Sequence, residues 1–154
     1  MALYKDLNEL LDGSEDGWVR SVKQMENQSP YDLVRNIVQK QLSLLPADKI
    51  VQYGQVIGFK CKQSDLKYSQ LRRYVDEIKS IEQSSDKNNK IKLFRIQLLH
   101  GYSRQKEQLE PFYQFVDGLI KSNKIQNEED FEVFIHLIDS ITAHFEAFRD
   151  DSKD

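Results

Sequence analysis

Cys61, His100, His136 and His144 are the side chains best suited to nucleophilic or metal chemistry, and their arrangement suits neither. His136 and His144 stand eight residues apart, slightly over two helical turns, and neither belongs to an H-E-x-x-H pattern that would put two imidazoles on one helix face. Cys61 has no recognisable catalytic histidine arrangement and reads as a buried or incidental thiol. As the sole cysteine it excludes a disulfide or Cys-rich zinc site within the chain and fits a reducing compartment. Glu128 and Glu129 open a predicted helix, where acidic groups complement the dipole, and Asp150 and Asp151 fall in a solvated tail. No catalytic residue, metal-ligand set or cofactor is expected. That leaves the adjacent cations Arg72 and Arg73, whose chemistry is either ion pairing on a surface or a grip on phosphate.

The elements that carry these residues read as helices, since strand alternation is scarce and helical spacing recurs. "SPYDLVRNIVQKQLSLL" offers Ser29 as N-cap and Pro30 at the first helical position, with Val34, Ile37, Val38, Leu42 and Leu45 towards one side. A second helix follows Pro46, with Ile50, Tyr53, Ile57 and Phe59 inward. Gly54 and Gly58 within it cost an isolated helix about 1 kcal/mol each, so they point to close helix packing. "LKYSQLRRYVDEIKSIE" carries the stripe Leu71, Tyr74, Val75, Ile78 and Ile81. "SSDKNN" reads as a loop before a helix from about Lys90 to Lys106, with Ile91, Phe94, Leu98 and Tyr102 inward. Pro111 is expected to start another helix, and Asn127 to cap a long one carrying Phe131, Phe134, Ile138, Ile141, Phe145 and Phe148. Near the N-terminus, "MALYKDLNELLDG" and "GWVRSVKQM" suggest two short helices that Trp18 anchors to the rest. The expectation is an all-α protein, a compact bundle of about five to seven helices.

At 154 residues the chain is long enough for one buried core, read as a single helical domain over 1–154. Residues 1–45 are its least legible part and 149–154 a frayed tail. The start lacks the order of a signal peptide and no apolar run suffices to span a membrane, so a soluble, cytoplasmic protein is expected. The net charge of −3 conceals an asymmetry: residues 60–106 carry twelve Lys/Arg against five Asp/Glu, or +7, and the remainder −10. A polyanion is a natural partner for the middle segment, although a solvated lysine face explains the same count. On a helical wheel Arg72 and Arg73 flank the apolar stripe of their helix on opposite sides, both exposed. Asp76 and Glu77 lie within pairing reach, and such exposed pairs contribute about 0.3–0.5 kcal/mol. Composition alone leaves both readings open.

The string "YSQLRRYVDEIKSI" (68–81) resembles the Gln-Leu-Arg element of the small subunit of type III-A CRISPR effector complexes, the Csm complex. "YGQVIG" (53–58) upstream supports it, as do "LLHGYSRQ" (98–105) around Tyr102 and Arg104 and the closing helix "FEVFIHLIDSITAHFEAF" (131–148). The resemblance covers roughly 50 to 148, a family-like core. It departs from the family where Lys67 and Tyr68 replace the usual threonines, so that Ser64 or Asp65 would set the helix start. It also departs at Asp139, Ser140 and Thr142, which make the closing helix more polar.

What the resemblance implies is an all-α, non-catalytic subunit of an antiviral ribonucleoprotein. Copies would stack as an inner filament beside the backbone subunits and contact guide and target RNA. Base pairing would read the sequence, leaving this protein the duplex shape and the phosphates. Arg72 then matches the motif arginine, with equal standing as an RNA contact or a structural or subunit contact. Arg73 and Arg104 follow, and Lys60, Lys62, Lys67 and Lys106 are weaker candidates. The implied partners are the backbone and large subunits, further copies of the chain, and guide and target RNA, with a weak homodimer in isolation. The competing reading is a helical scaffold or regulator that binds only protein; a DNA-binding helix-turn-helix lacks its sharp glycine turn.

Overall fold

The computed structural model describes residues 1–150 and holds, among them, eight α-helices, one 3-10 turn and no strand. The helices are α1 (Leu7–Leu11), α2 (Asp16–Glu26), α3 (Pro30–Ile37), α4 (Ala47–Gln63), α5 (Tyr68–Glu82), α6 (Lys87–Arg104), α7 (Lys106–Lys121) and α8 (Glu128–Phe148). The 3-10 turn, Leu42–Leu44, lies between α3 and α4. None of the helices is long and apolar enough to cross a membrane.

The α-helical class is as expected, the eight helices exceed the five to seven anticipated, and both short N-terminal segments are helices as their spacing suggested. Asp6 caps α1, its carboxylate accepting from the Glu9 N–H at 2.9 Å. Gly13, at φ +86°, then turns the chain towards α2. Trp18 ties α2 to α4 by donating from Nε1 to Gln55 Oε1 at 3.1 Å, and the Tyr4 N–H reaches the Ala147 carbonyl of α8 at 3.0 Å.

Two buried helices organise the rest. α4 packs along α8 more extensively than any other pair, and its two interior glycines are why. A methyl group at position 58 would stand 2.9 Å from the backbone nitrogen of Phe145, and one at 54 only 2.7 Å from the carbonyl carbon of Ser140. Backbone meets backbone there, which no larger residue permits. Around this axis Phe112, Phe115, Phe131, Phe134, Phe145 and Phe148 are fully buried, and α7, α3 and α5 close the sides.

Four sequence expectations need correction. The "SPYDLVRNIVQKQLSLL" helix stops at Ile37, although Ser29 caps it and Pro30 opens it as expected. The Asp130 carboxylate accepts from the Ser43 N–H at 3.0 Å and from the Gln126 N–H at 3.2 Å, drawing Leu42 into the core as a separate 3-10 turn. α6 starts at Lys87, inside the predicted loop, because Lys87 pairs with Glu128 at 2.6 Å and Asn88 donates to the Gln126 carbonyl. α7 starts at Lys106, five residues before Pro111, because burial of Leu109 extends the helix upstream of the proline. Neither Ser64 nor Asp65 caps α5: the Ser64 hydroxyl donates to the Gln108 carbonyl at 2.7 Å, with the Cys61 carbonyl an alternative acceptor at 3.0 Å, and Asp65 sits at φ +66°. Of the predicted frayed tail, Arg149 packs over the Tyr68 ring at 4.2 Å, and 151–154 lie outside the described residues.

His144 gives the fold a pH dependence. Its Nδ1 lies 2.7 Å from the Ser140 carbonyl, and burial lowers its pKa below the ordinary 6.5, the hydrogen bond opposing the shift only in part. The unfolded chain therefore takes up a proton near pH 6.5 that the folded chain resists. Stability is fully present above that value and falls as the pH drops through it. Urea midpoints measured at about pH 7.5 and about pH 5.5 should separate more for the wild type than for His144→Gln.

Candidate nucleic-acid interface

The chain joins α6 to α7 through the single residue Gln105, whose backbone (φ −133°, ψ 60°) reverses direction. This places the end of α6 beside the start of α5. Between them lies a cleft of about 290 Å³ lined by Lys67, Ser69, Gln70, Arg73, Gly101, Arg104 and Gln105. Three of the seven candidate cations meet there, and no carboxylate lines the walls. Lys67, Arg73 and Arg104 are exposed and form no ion pair among the described residues. The N-cap residue of α5, Lys67, makes no side-chain cap bond, and the positive end of the α5 dipole adds to the field. The Arg73 guanidinium also stands over the Tyr74 ring at 5.8 Å.

Arg72 does not line this cleft. Its Nε stands 3.5 Å from Asp76 Oδ1, and the shallow groove it shares with Arg73 also contains Asp76 and Glu77. The motif arginine is thus partly neutralised, while its neighbour faces the carboxylate-free cleft. Arg73 forms no ion pair with Glu77, the partner the helical spacing offered it.

The other lysines do not join the cluster. Lys60 is half-buried and donates from Nζ to the Glu26 carbonyl at 2.9 Å, ending α2; burial lowers its pKa, with the Glu26 charge opposing. Lys62 lines a separate hollow with Lys5, Glu9, Asp65 and Arg149. Lys106 is exposed as the first residue of α7, beside Gln105 but outside the cleft lining. Sequence reasoning overlooked Ser69, Gln70 and Gln105. Gln70 was within reach, since it is the glutamine of the Gln-Leu-Arg element itself.

The remaining groups are packed rather than poised. Cys61 is fully buried and its thiol pKa is pushed up to about 12 by desolvation, against a weaker opposing hydrogen bond at Phe112. It should resist alkylation in the native protein at neutral pH and react within minutes once denatured, as mass spectrometry of iodoacetamide-treated samples would record. His136 is exposed on α8 and His100 on α6, far apart in sequence and in separate helices. Among the described residues no group of three or more His, Cys, Asp or Glu side chains is placed to hold a metal ion.

No curated protein and no solved structure matches the chain. Residues 45–151 match the family described as Csm2 Type III-A, a span that takes in α4 to α8 and every wall of the cationic cleft. With more than two thirds of its length matched, the chain belongs to the Csm2 Type III-A family and is a small subunit of a type III-A CRISPR Csm complex.

Proposed function

We propose that this subunit is non-catalytic, that its copies form the inner filament of the Csm complex, and that it holds the guide–target RNA duplex by its backbone. Residues 1–45 and the family core act as a single domain in this reading. The observation that carries it is the meeting of Lys67, Arg73 and Arg104 around a cleft without a carboxylate, in a chain whose net charge is negative. Three cations beside the positive end of a helix dipole form a phosphate grip, and phosphate contacts position a nucleic acid without reading it. Guanidinium groups make that grip bidentate. Weak RNA binding by the isolated subunit accompanies stronger retention in the assembly, because the acidic flanks repel RNA wherever other subunits do not cover them.

The test compares complexes assembled with wild-type subunit, with Arg73→Ala/Arg104→Ala and with Arg72→Ala. The double substitution should lower target-RNA retention well beyond the single one, with helicity unchanged. Equal retention by all three would leave the scaffold reading, in which the cations are a solvated face.

A further inference from the structure

The cleft between α5 and α6 contains one group that a grip on phosphate leaves unexplained. Gln70, half-buried in the first turn of α5, lines the cleft, and its side-chain Oε1 is buried with no hydrogen-bond partner. A carbonyl oxygen taken out of water and left without a donor costs stability, and native folds retain few such groups. Donors are plentiful nearby. Lys67, Arg73 and Arg104 line the same cleft, yet none of them donates to this oxygen.

The helices cannot close over the amide to satisfy it. Gly101 lines the cleft from α6, and a methyl group there would fall on the Tyr74 hydroxyl of α5, so the two helices already touch at this level. A phosphate held by the cations cannot satisfy the oxygen either, because phosphate oxygens accept hydrogen bonds and the amide oxygen needs a donor. Along a sugar–phosphate backbone the one donor is the ribose 2′-hydroxyl, which deoxyribose lacks. The terminal torsion of a glutamine is broad, so the amide can turn Oε1 towards the cleft when such a donor arrives.

We infer that Gln70 accepts a hydrogen bond from the 2′-hydroxyl of a ribose whose adjoining phosphate is held by Arg73 and Arg104, so that the cleft selects RNA over DNA. This rests on the phosphate-grip reading and adds what that reading lacks, since cations neutralise the phosphates of either nucleic acid. Selectivity follows from the unpartnered oxygen itself. A strand with the hydroxyl relieves it, and a strand without one leaves it buried and unpaired.

The test uses assembled complexes that contain wild-type subunit or Gln70→Leu. Each is paired with strands carrying 2′-fluoro in place of the 2′-hydroxyl, in the guide or in the target. Fluorine keeps the A-form sugar but donates no hydrogen bond. In the strand that lies in the cleft, the replacement should cost the wild-type complex about 3–10-fold more in target-RNA affinity than it costs the variant. Gln70→Leu removes no charge, so its salt slope should match the wild type. It should also melt about 2–5 °C higher, because an apolar side chain of similar size replaces an unpartnered oxygen. Equal costs of fluorine to the two complexes, whichever strand carries it, would overturn the ribose contact and leave the phosphate grip in place. A lower melting temperature for Gln70→Leu would show the oxygen to be satisfied in the native protein and overturn the inference. An Arg73→Ala/Arg104→Ala complex with the wild-type salt slope would overturn the phosphate grip, and the ribose contact with it.

Discussion

Gly54→Ala should lower stability by about 2–3 kcal/mol, the ordinary cost of over-packing, despite gaining about 1 kcal/mol in helix propensity. The new methyl group would fall on the Ser140 Oγ and Cβ and within 2.7 Å of the Ser140 carbonyl carbon. A serine side chain can rotate away; a backbone carbon cannot, so α4 and α8 must separate along the most extensive helix contact of the fold. For a chain of this length the melting temperature should drop by roughly 5–10 °C. Gly17→Ala in α2 is the matched control. Nothing lies within 4 Å of a methyl group there, so the propensity gain of about 0.5–1 kcal/mol is realised and the protein becomes more stable. Opposite signs at two helical glycines would follow only from the packing, and equal signs would refute the account of the α4–α8 contact.

The largest functional effect should come from Lys67→Ala/Arg73→Ala/Arg104→Ala in the assembled complex. For every phosphate that is no longer neutralised, the slope of log affinity against log salt flattens by about 0.7–0.9, so removing all three cations should flatten it by about 2. Target-RNA affinity at low salt falls with it, and the two complexes converge as salt rises. Arg72→Ala should change the slope by well under one unit, because Asp76 already neutralises part of that charge at 3.5 Å. A triple variant with reduced affinity but an unchanged slope would indicate a damaged subunit interface instead of a weakened phosphate grip. Helicity should stay at the wild-type level, since all three side chains are exposed.

Much of this architecture was legible because it is local. Ser29–Pro30 and Asn127 announce helix starts through a side-chain oxygen placed three residues before an amide, and the structure contains both bonds. The stripe Leu71–Tyr74–Val75–Ile78–Ile81 is buried as its period requires. What stayed illegible depends on contacts distant in sequence. No local rule says that Asp130 will accept from Ser43 across 87 positions and end a helix early, or that Lys87 will find Glu128 and turn a loop-like string into the first turn of α6. Pro111 is the converse case: a strong local signal overridden by the burial of Leu109.

The candidate site was half legible for the same reason. Charge counting found the basic segment, and the helical wheel left Arg72 and Arg73 exposed, as they are in the structure, where the two also share one shallow groove. Only the reversal at Gln105 decides which of the two meets Arg104, and that is set by how α6 folds back on α7. The resemblance favoured the motif arginine, whereas the geometry gathers its neighbour with Lys67 and Arg104. Lys60, promising by charge alone, is engaged at the end of α2.

The claim that matters most is that the cleft between α5 and α6 holds the RNA backbone. Photo-crosslinking of target RNA in the assembled Csm complex, followed by peptide mapping of this subunit, addresses it most directly. Adducts concentrated on residues 67–73 and 101–106 are the predicted result. Abundant adducts on neighbouring subunits with none anywhere in residues 60–106 would contradict it.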